Sequence, residues 1–148
     1  MVAKAEREGL ARFLAERWEQ VSRKIAELAE EVPAEKFEST PVASARSVGQ
    51  VLRHVAFWNQ YVADSLRGKS ANDTANELSL AEYPTKASVL EVLRRSANEV
   101  AEAVRNSESA TNLKTAELVV PFVEHTAEHY GQLVAYCRLM SILPPASR

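Results

Sequence analysis

Residues 10–32 read LARFLAERWEQVSRKIAELAEEV. The apolar side chains of this stretch fall at Leu10, Phe13, Leu14, Trp18, Val21, Ile25, Leu28 and Val32. Steps of three and four recur along it, the period of an α-helix that turns one face to a core. Glu, Arg and Lys fill the other faces. Pro33, which has no backbone N–H, is expected to end the helix.

Working outward, the same period returns three times. Ser47-Val48-Gly49-Gln50 has the pattern of a capping box, in which a hydroxyl and an amide side chain satisfy free N–H groups at a helix start. The second helix then carries Val48, Val51, Leu52, Val55, Trp58, Val62 and Leu66, with Gly68 as its stop. A third opens near Thr85, repeats Val89, Leu90, Leu93, Ala97, Val100 and Val104, and fades into the polar run Asn106–Asn112. The fourth is expected from about Thr115 to about Met140, before Pro144-Pro145. Pro121 lies inside that pattern, so a kink or a late start is expected there. No run alternates with period two, so strands have no support. The expected fold is all-α: a four-helix bundle forming one domain over residues 1–148.

Two connectors, near residues 33–46 and 69–85, exceed the two to eight residues usual between bundle helices. They imply either a crossover connection or loops that cover a site.

Composition narrows the function classes. A hydrophobic fraction of 46% over 148 residues is ordinary for a soluble domain. The net charge of −2 comes without a basic stripe and argues against nucleic acid. No stretch approaches the ~20 apolar residues that span a bilayer. The first twenty residues are studded with charge rather than apolar. Cys137 is the single cysteine, so no internal disulfide can form. A cytoplasmic protein is the expectation.

The chain has three histidines, His54, His125 and His129. His125-Thr126-Ala127-Glu128-His129 places two imidazoles four apart, on one face of a helix and about 6 Å apart along its axis. Three histidines scattered at random would give such a pair in about one chain in twenty-five. Phe122, His129, Leu133 and Tyr136 make an inward stripe, with His125 at its edge. His54, between Val51 and Trp58, flanks the core stripe of the second helix. A single histidine on an apolar face is more often a hydrogen-bonded core residue than a ligand. Three converging imidazoles instead suit a divalent metal and leave coordination positions open, as in catalytic sites. The same five residues match H-x-x-E-H of inverted zinc proteases, with Glu128 as base. That reading fails, because no His, Asp or Glu follows His129 to complete the site.

Two stretches carry a resemblance to a known family. The first, residues 32–68, is VPAEKFESTPVASARSVGQVLRHVAFWNQYVADSLRG; the second, residues 122–147, is FVEHTAEHYGQLVAYCRLMSILPPAS. They resemble the DinB-like superfamily of metal-binding four-helix bundles. The shared features are a Pro-containing loop, an Arg-Ser helix start, an aligned His, paired histidines followed by Gly-Gln-Leu, and a Pro-Pro end. YPTKASVLEVL, opening the third helix, also fits. The resemblance implies His54, His125 and His129 as ligands, a crossover between helices two and three, and a homodimer. It further implies chemistry like that of relatives that transfer or isomerise with bacillithiol, mycothiol or glutathione. Ser141-Ile142 departs from the Gly that relatives often place at the helix end, which puts that cap in doubt.

Other residues extend the candidate site. Trp58 and Tyr61 follow His54 on roughly the same face and could wall a substrate pocket, although core or dimer packing is the commoner role of such aromatics. Gln132, one turn past His129, could bond a metal-bound water or another helix. Tyr136 is a further pocket candidate. Cys137 reads as an apolar core residue. The functional expectation is a metal-dependent thiol S-transferase or hydrolase acting on a small molecule, with Zn or Ni as the ion and a low-molecular-weight thiol as cofactor. The sequence leaves two alternatives open: a non-catalytic stress protein that binds metal or small molecules, and a metal-free structural dimer.

Overall fold

The computed structural model describes residues 3–107 and 111–147. Four long helices follow in order: α1 (Lys4–Glu31), α2 (Val48–Leu66), α3 (Lys86–Asn106) and α4 (Leu113–Leu139). Short 3₁₀ turns occupy Ala34–Lys36 and Pro145–Ser147, and the described residues contain no strand. Of the polar run that ends the third pattern, residues 108–110 lie outside the described residues. No described helix is long and apolar enough to cross a membrane.

Local chemistry sets the helix starts. Ser47 Oγ accepts from Gln50 N at 3.1 Å, and Gln50 Oε1 accepts from Ser47 N at 2.8 Å, closing the capping box at α2. Thr85 and Ser88 pair in the same manner at α3. At α4, Asn112 Oδ1 accepts from Lys114 N at 3.0 Å. That cap corrects the expected start near Thr115: the helix begins at Leu113 and runs through Pro121. The proline faces solvent, so its ring displaces nothing in the core, while Val119, two residues before it, is fully buried.

α1 packs on α3 and α4, and α2 packs on the same two helices, so α1 and α2 face one another diagonally. Side-chain bonds give the directions. Asn59 Nδ2 donates to Ser96 Oγ near the middle of both α2 and α3, and both helices begin near Arg53 and Tyr83, so these neighbours run parallel. Parallel neighbours in sequence require a return along the whole bundle. Residues 67–85 make it, as a crossover. α1 runs antiparallel to α3: Lys86 Nζ caps the carbonyls of Glu30 and Val32, while Trp18 Nε1 donates to the Ala97 carbonyl at 3.1 Å.

The core has two parts. Ala11, Leu14, Trp18, Val62, Val100, Val104 and Val119 fill one end. Ile25, Leu28, Phe37, Val51, Leu52, Leu93, Leu133 and Cys137 are among the side chains that fill the other. Each such large side chain contributes roughly 1.5–3 kcal/mol by leaving water. Phe13 corrects the inward stripe drawn for α1, for it is 57% exposed. It sits one residue before Leu14, about 100° around the helix from the face that Leu14 and Trp18 bury.

Candidate metal centre

The three histidines meet between α2 and α4, where the two parts of the core abut. His54 sits nearly two turns into α2, and His125 and His129 lie on successive turns of α4. Ring centroids are 4.9 Å apart for His54–His125, 4.9 Å for His54–His129 and 4.6 Å for His125–His129. One donor atom from each ring lies within 4.8 Å of the other two, so the group could hold a metal ion. A tetrahedral centre with bonds of about 2.0–2.1 Å separates its nitrogens by about 3.3 Å. Side-chain adjustments of about an ångström would suffice to close these rings on a common point.

Two of the rings are oriented by bonds on their far side. His54 Nδ1 donates to the Asn76 carbonyl at 2.5 Å, leaving Nε2 as its lone-pair nitrogen. Asn76 delivers that carbonyl from the crossover connector with a left-handed backbone, φ 61°. Asparagine tolerates that conformation better than most residues. Its side-chain Oδ1 is occupied too, accepting from Trp58 Nε1 at 3.0 Å. His129 Nδ1 donates to Gln132 Oε1 at 2.8 Å; Gln132 Nε2 donates to Tyr136 Oη at 3.1 Å; Tyr136 Oη donates to the Arg46 carbonyl at 3.0 Å. A carbonyl of the first connector thus anchors a chain of bonds that leaves His129 Nε2 as the available donor. Such partners fix the ring tautomer and raise the basicity of the opposite nitrogen.

The inner nitrogens face each other. His54 Nε2 and His125 Nε2 are 2.9 Å apart, with room for one proton between two lone-pair atoms. Burial lowers the pKa of both rings, and the positive charge of Arg46 adds to the effect. Asn76 opposes it at His54. His125, desolvated and beside two other imidazoles, is lowered to about 4. Both rings are therefore neutral at pH 7, the state in which imidazole binds metal.

An aromatic wall borders the triad. Trp58 stacks on Phe122 at 5.5 Å, Tyr61 lies 5.7 Å from Phe122, and Phe122 meets His125 edge-on at 5.9 Å. Trp58 lies 6.4 Å from the His54 ring, and Tyr61 stands behind Trp58 and Phe122. Gln132 bonds a histidine rather than another helix, and Tyr136 is buried behind it. Glu128 is exposed. Cys137 is fully buried, and that burial pushes its thiol pKa up.

Sequence reasoning missed Asn76 and Arg46. Both sit in connectors, where no periodicity marks a residue. In the sequence the Arg46-Ser47 pair marks only a helix start.

Next to the triad, Arg53 is only 1% exposed. Its Nη1 and Nη2 donate to the two carboxylate oxygens of Glu38 at 2.7 and 3.0 Å, and Nη1 reaches the Tyr83 carbonyl at 3.4 Å. Ser47 Oγ also donates to Glu38, at 2.9 Å. This latch ties both connectors to α2 at the residue before His54. The bonds from Arg53 hold the Glu38 pKa below the ordinary carboxylate value, against the opposing effect of burial.

Comparison with known proteins agrees with this architecture. The DinB superfamily model matches residues 17–136, a span that contains all three histidines. None of the curated proteins matches the chain.

Proposed function

The chain belongs to the DinB superfamily, and on that premise we propose that His54, His125 and His129 together hold one divalent cation, Zn or Ni by preference, in a metal-dependent thiol transferase or hydrolase. The observation that carries the reading is the pairing of the outer nitrogens. His54 and His129 each give Nδ1–H to a fixed acceptor, so their Nε2 lone pairs are reserved for the centre. His54 Nε2 faces His125 Nε2 across 2.9 Å, and the space between them takes either a shared proton or a cation.

A cation there would lower the pKa of a bound thiol or water. The chain's own residues supply the surroundings. Gln132 and Tyr136 hold the His129 ring in one tautomer. Trp58, Tyr61 and Phe122 offer an apolar wall for the small-molecule substrate and limit the approach of water. A low-molecular-weight thiol of the bacillithiol, mycothiol or glutathione type is the cofactor class in this reading, with a cytoplasmic homodimer as the working form.

A second reading, sequestration of metal or small molecule without turnover, is favoured by one observation. Among the described residues no carboxylate hydrogen-bonds to the three rings, so no general base stands ready. Elemental analysis of protein purified without a polyhistidine tag tests both readings. Near-stoichiometric Zn or Ni is expected, and its loss in a His125→Ala/His129→Ala variant. Metal-free protein from metal-replete cells would end the metal-dependent reading and the sequestration of metal, leaving only a small-molecule binder. Thiol consumption with chlorodinitrobenzene across a panel of thiols then separates enzyme from binder.

A further inference from the structure

Where the two connectors meet beside the triad stands an arginine. Arg46 closes the first connector, and its carbonyl accepts from Tyr136 Oη at 3.0 Å, the end of the chain of bonds that orients His129. Its Nε lies 3.4 Å from Glu77 Oε1 on the crossover. Glu77 directly follows Asn76, whose carbonyl orients His54. Arg46 is therefore tied through its backbone to one histidine support and through its side chain to the neighbour of the other.

Its charge is also the cationic influence on both His54 and His125. The Arg46 side chain is 37% exposed and that of Glu77 29%. A half-solvated pair whose nearest atoms stand 3.4 Å apart is worth about 0–1 kcal/mol, little for a strap between loops. Among the described residues the two Nη atoms of Arg46 make no hydrogen bond, in contrast to Arg53, whose fork is spent on Glu38. An uncommitted guanidinium fork is the group that recognises a carboxylate through two parallel bonds.

We propose that Arg46 is a specificity-determining residue of this site: it selects ligands that join a metal-binding sulfur to a carboxylate, over neutral thiols. The inference rests on the metal reading above. On binding, the thiol proton leaves to solvent, and the ligand carboxylate takes the guanidinium fork beside, or in exchange for, Glu77. Glutathione and bacillithiol carry carboxylates and fit; mycothiol carries none and is disfavoured.

Cobalt(II)-loaded protein provides the test, because sulfur bound to cobalt gives a charge-transfer absorbance that needs no turnover. Mercaptopropionate is titrated against mercaptopropanol, which differs only in replacing the carboxylate by a hydroxymethyl group. The wild-type protein should bind mercaptopropionate about tenfold or more tightly than the alcohol, the usual yield of a charge-assisted bond. Arg46→Gln should bring the two affinities together while the alcohol binds as before, and Arg46→Lys should keep part of the preference. Equal affinities in the wild type, or a preference that survives Arg46→Gln, would overturn the proposal. Should Arg46→Gln disturb the cobalt spectrum, Glu77→Gln decides: releasing the guanidinium should strengthen mercaptopropionate alone, and no such gain overturns the proposal. Failure to bind cobalt at all strikes instead at the triad reading, and carries this one with it.

Discussion

Replacing Gly49 by alanine sets two opposed effects against each other beside the candidate site. Gly49 is the second residue of α2. Alanine in a helix normally gains about 0.8–1 kcal/mol over glycine. Here, however, a Cβ would stand 2.8 Å from the Glu38 Cδ and 3.0 Å from its Oε2, too close for either atom to stay. The Glu38 carboxylate would have to leave Arg53 and Ser47, and Arg53 is 1% exposed. Breaking a buried ion pair costs about 3–5 kcal/mol. The Glu38 side chain is 44% exposed, so water takes over part of its pairing. Halving the cost on that account leaves about 1.5–2.5 kcal/mol, and subtracting the propensity gain leaves a net loss of about 0.5–1.7 kcal/mol. For a chain of this size the loss lowers Tm by about 1–7 °C. Thermal melts followed by circular dichroism on Gly49→Ala, Glu38→Ala and the double variant read the effect. In the Glu38→Ala background nothing is left to displace, so Gly49→Ala should there raise Tm, reversing its sign. A rise in Tm for Gly49→Ala in the otherwise native chain would refute the reasoning.

Gln132→Leu removes the acceptor that orients His129 and should weaken zinc binding by about 10–100-fold in a chromophoric competition titration, whereas Gln132→Glu keeps an acceptor and most of the affinity; unchanged affinity in the leucine variant would show that the bond orients nothing. The metal-stripped protein should lose stability as pH falls from 6.5 to about 4, because the unfolded chain protonates its histidines near 6.5 while folded His125 holds out to about 4. Urea midpoints across that window should fall with acid, and less steeply for His125→Asn. Ser141 ends α4 at φ 60° while Ile142 N closes on the Cys137 carbonyl at 2.7 Å, so the cap forms without its usual glycine. Ser141→Gly should add about 1 kcal/mol by relieving that conformation, read as a Tm higher by a few degrees. Cys137, buried and raised in pKa, should react with a disulfide reagent only as fast as the protein unfolds; rapid labelling of native protein would contradict its burial.

Periodicity by itself determined the four helices, because burying one face of a helix forces apolar side chains to recur every three or four residues. It also placed His125 and His129 on one face, since a spacing of four needs no tertiary information. The caps were legible for the same reason: Ser47 and Gln50 satisfy groups within their own turn. At single positions that logic weakened. Phe13 fits the spacing yet faces solvent, because which edge of a stripe is buried depends on where α3 and α4 lie. Pro121 argued for a late start that Asn112 and the burial of Val119 override.

The convergence of His54 on the other two rings could be named from a family resemblance, but only packing brings α2 and α4 together. The supports that come from the connectors, unlike Gln132 and Tyr136 on α4, were out of reach of sequence. Asn76, Arg46 and Glu38 come from connectors whose courses follow from how the bundle is wired, and each meets its partner across a long stretch of chain. Local sequence encodes a repeat along one helix; a contact between a loop carbonyl and a distant imidazole has no repeat, and exists only once the crossover has closed over α2.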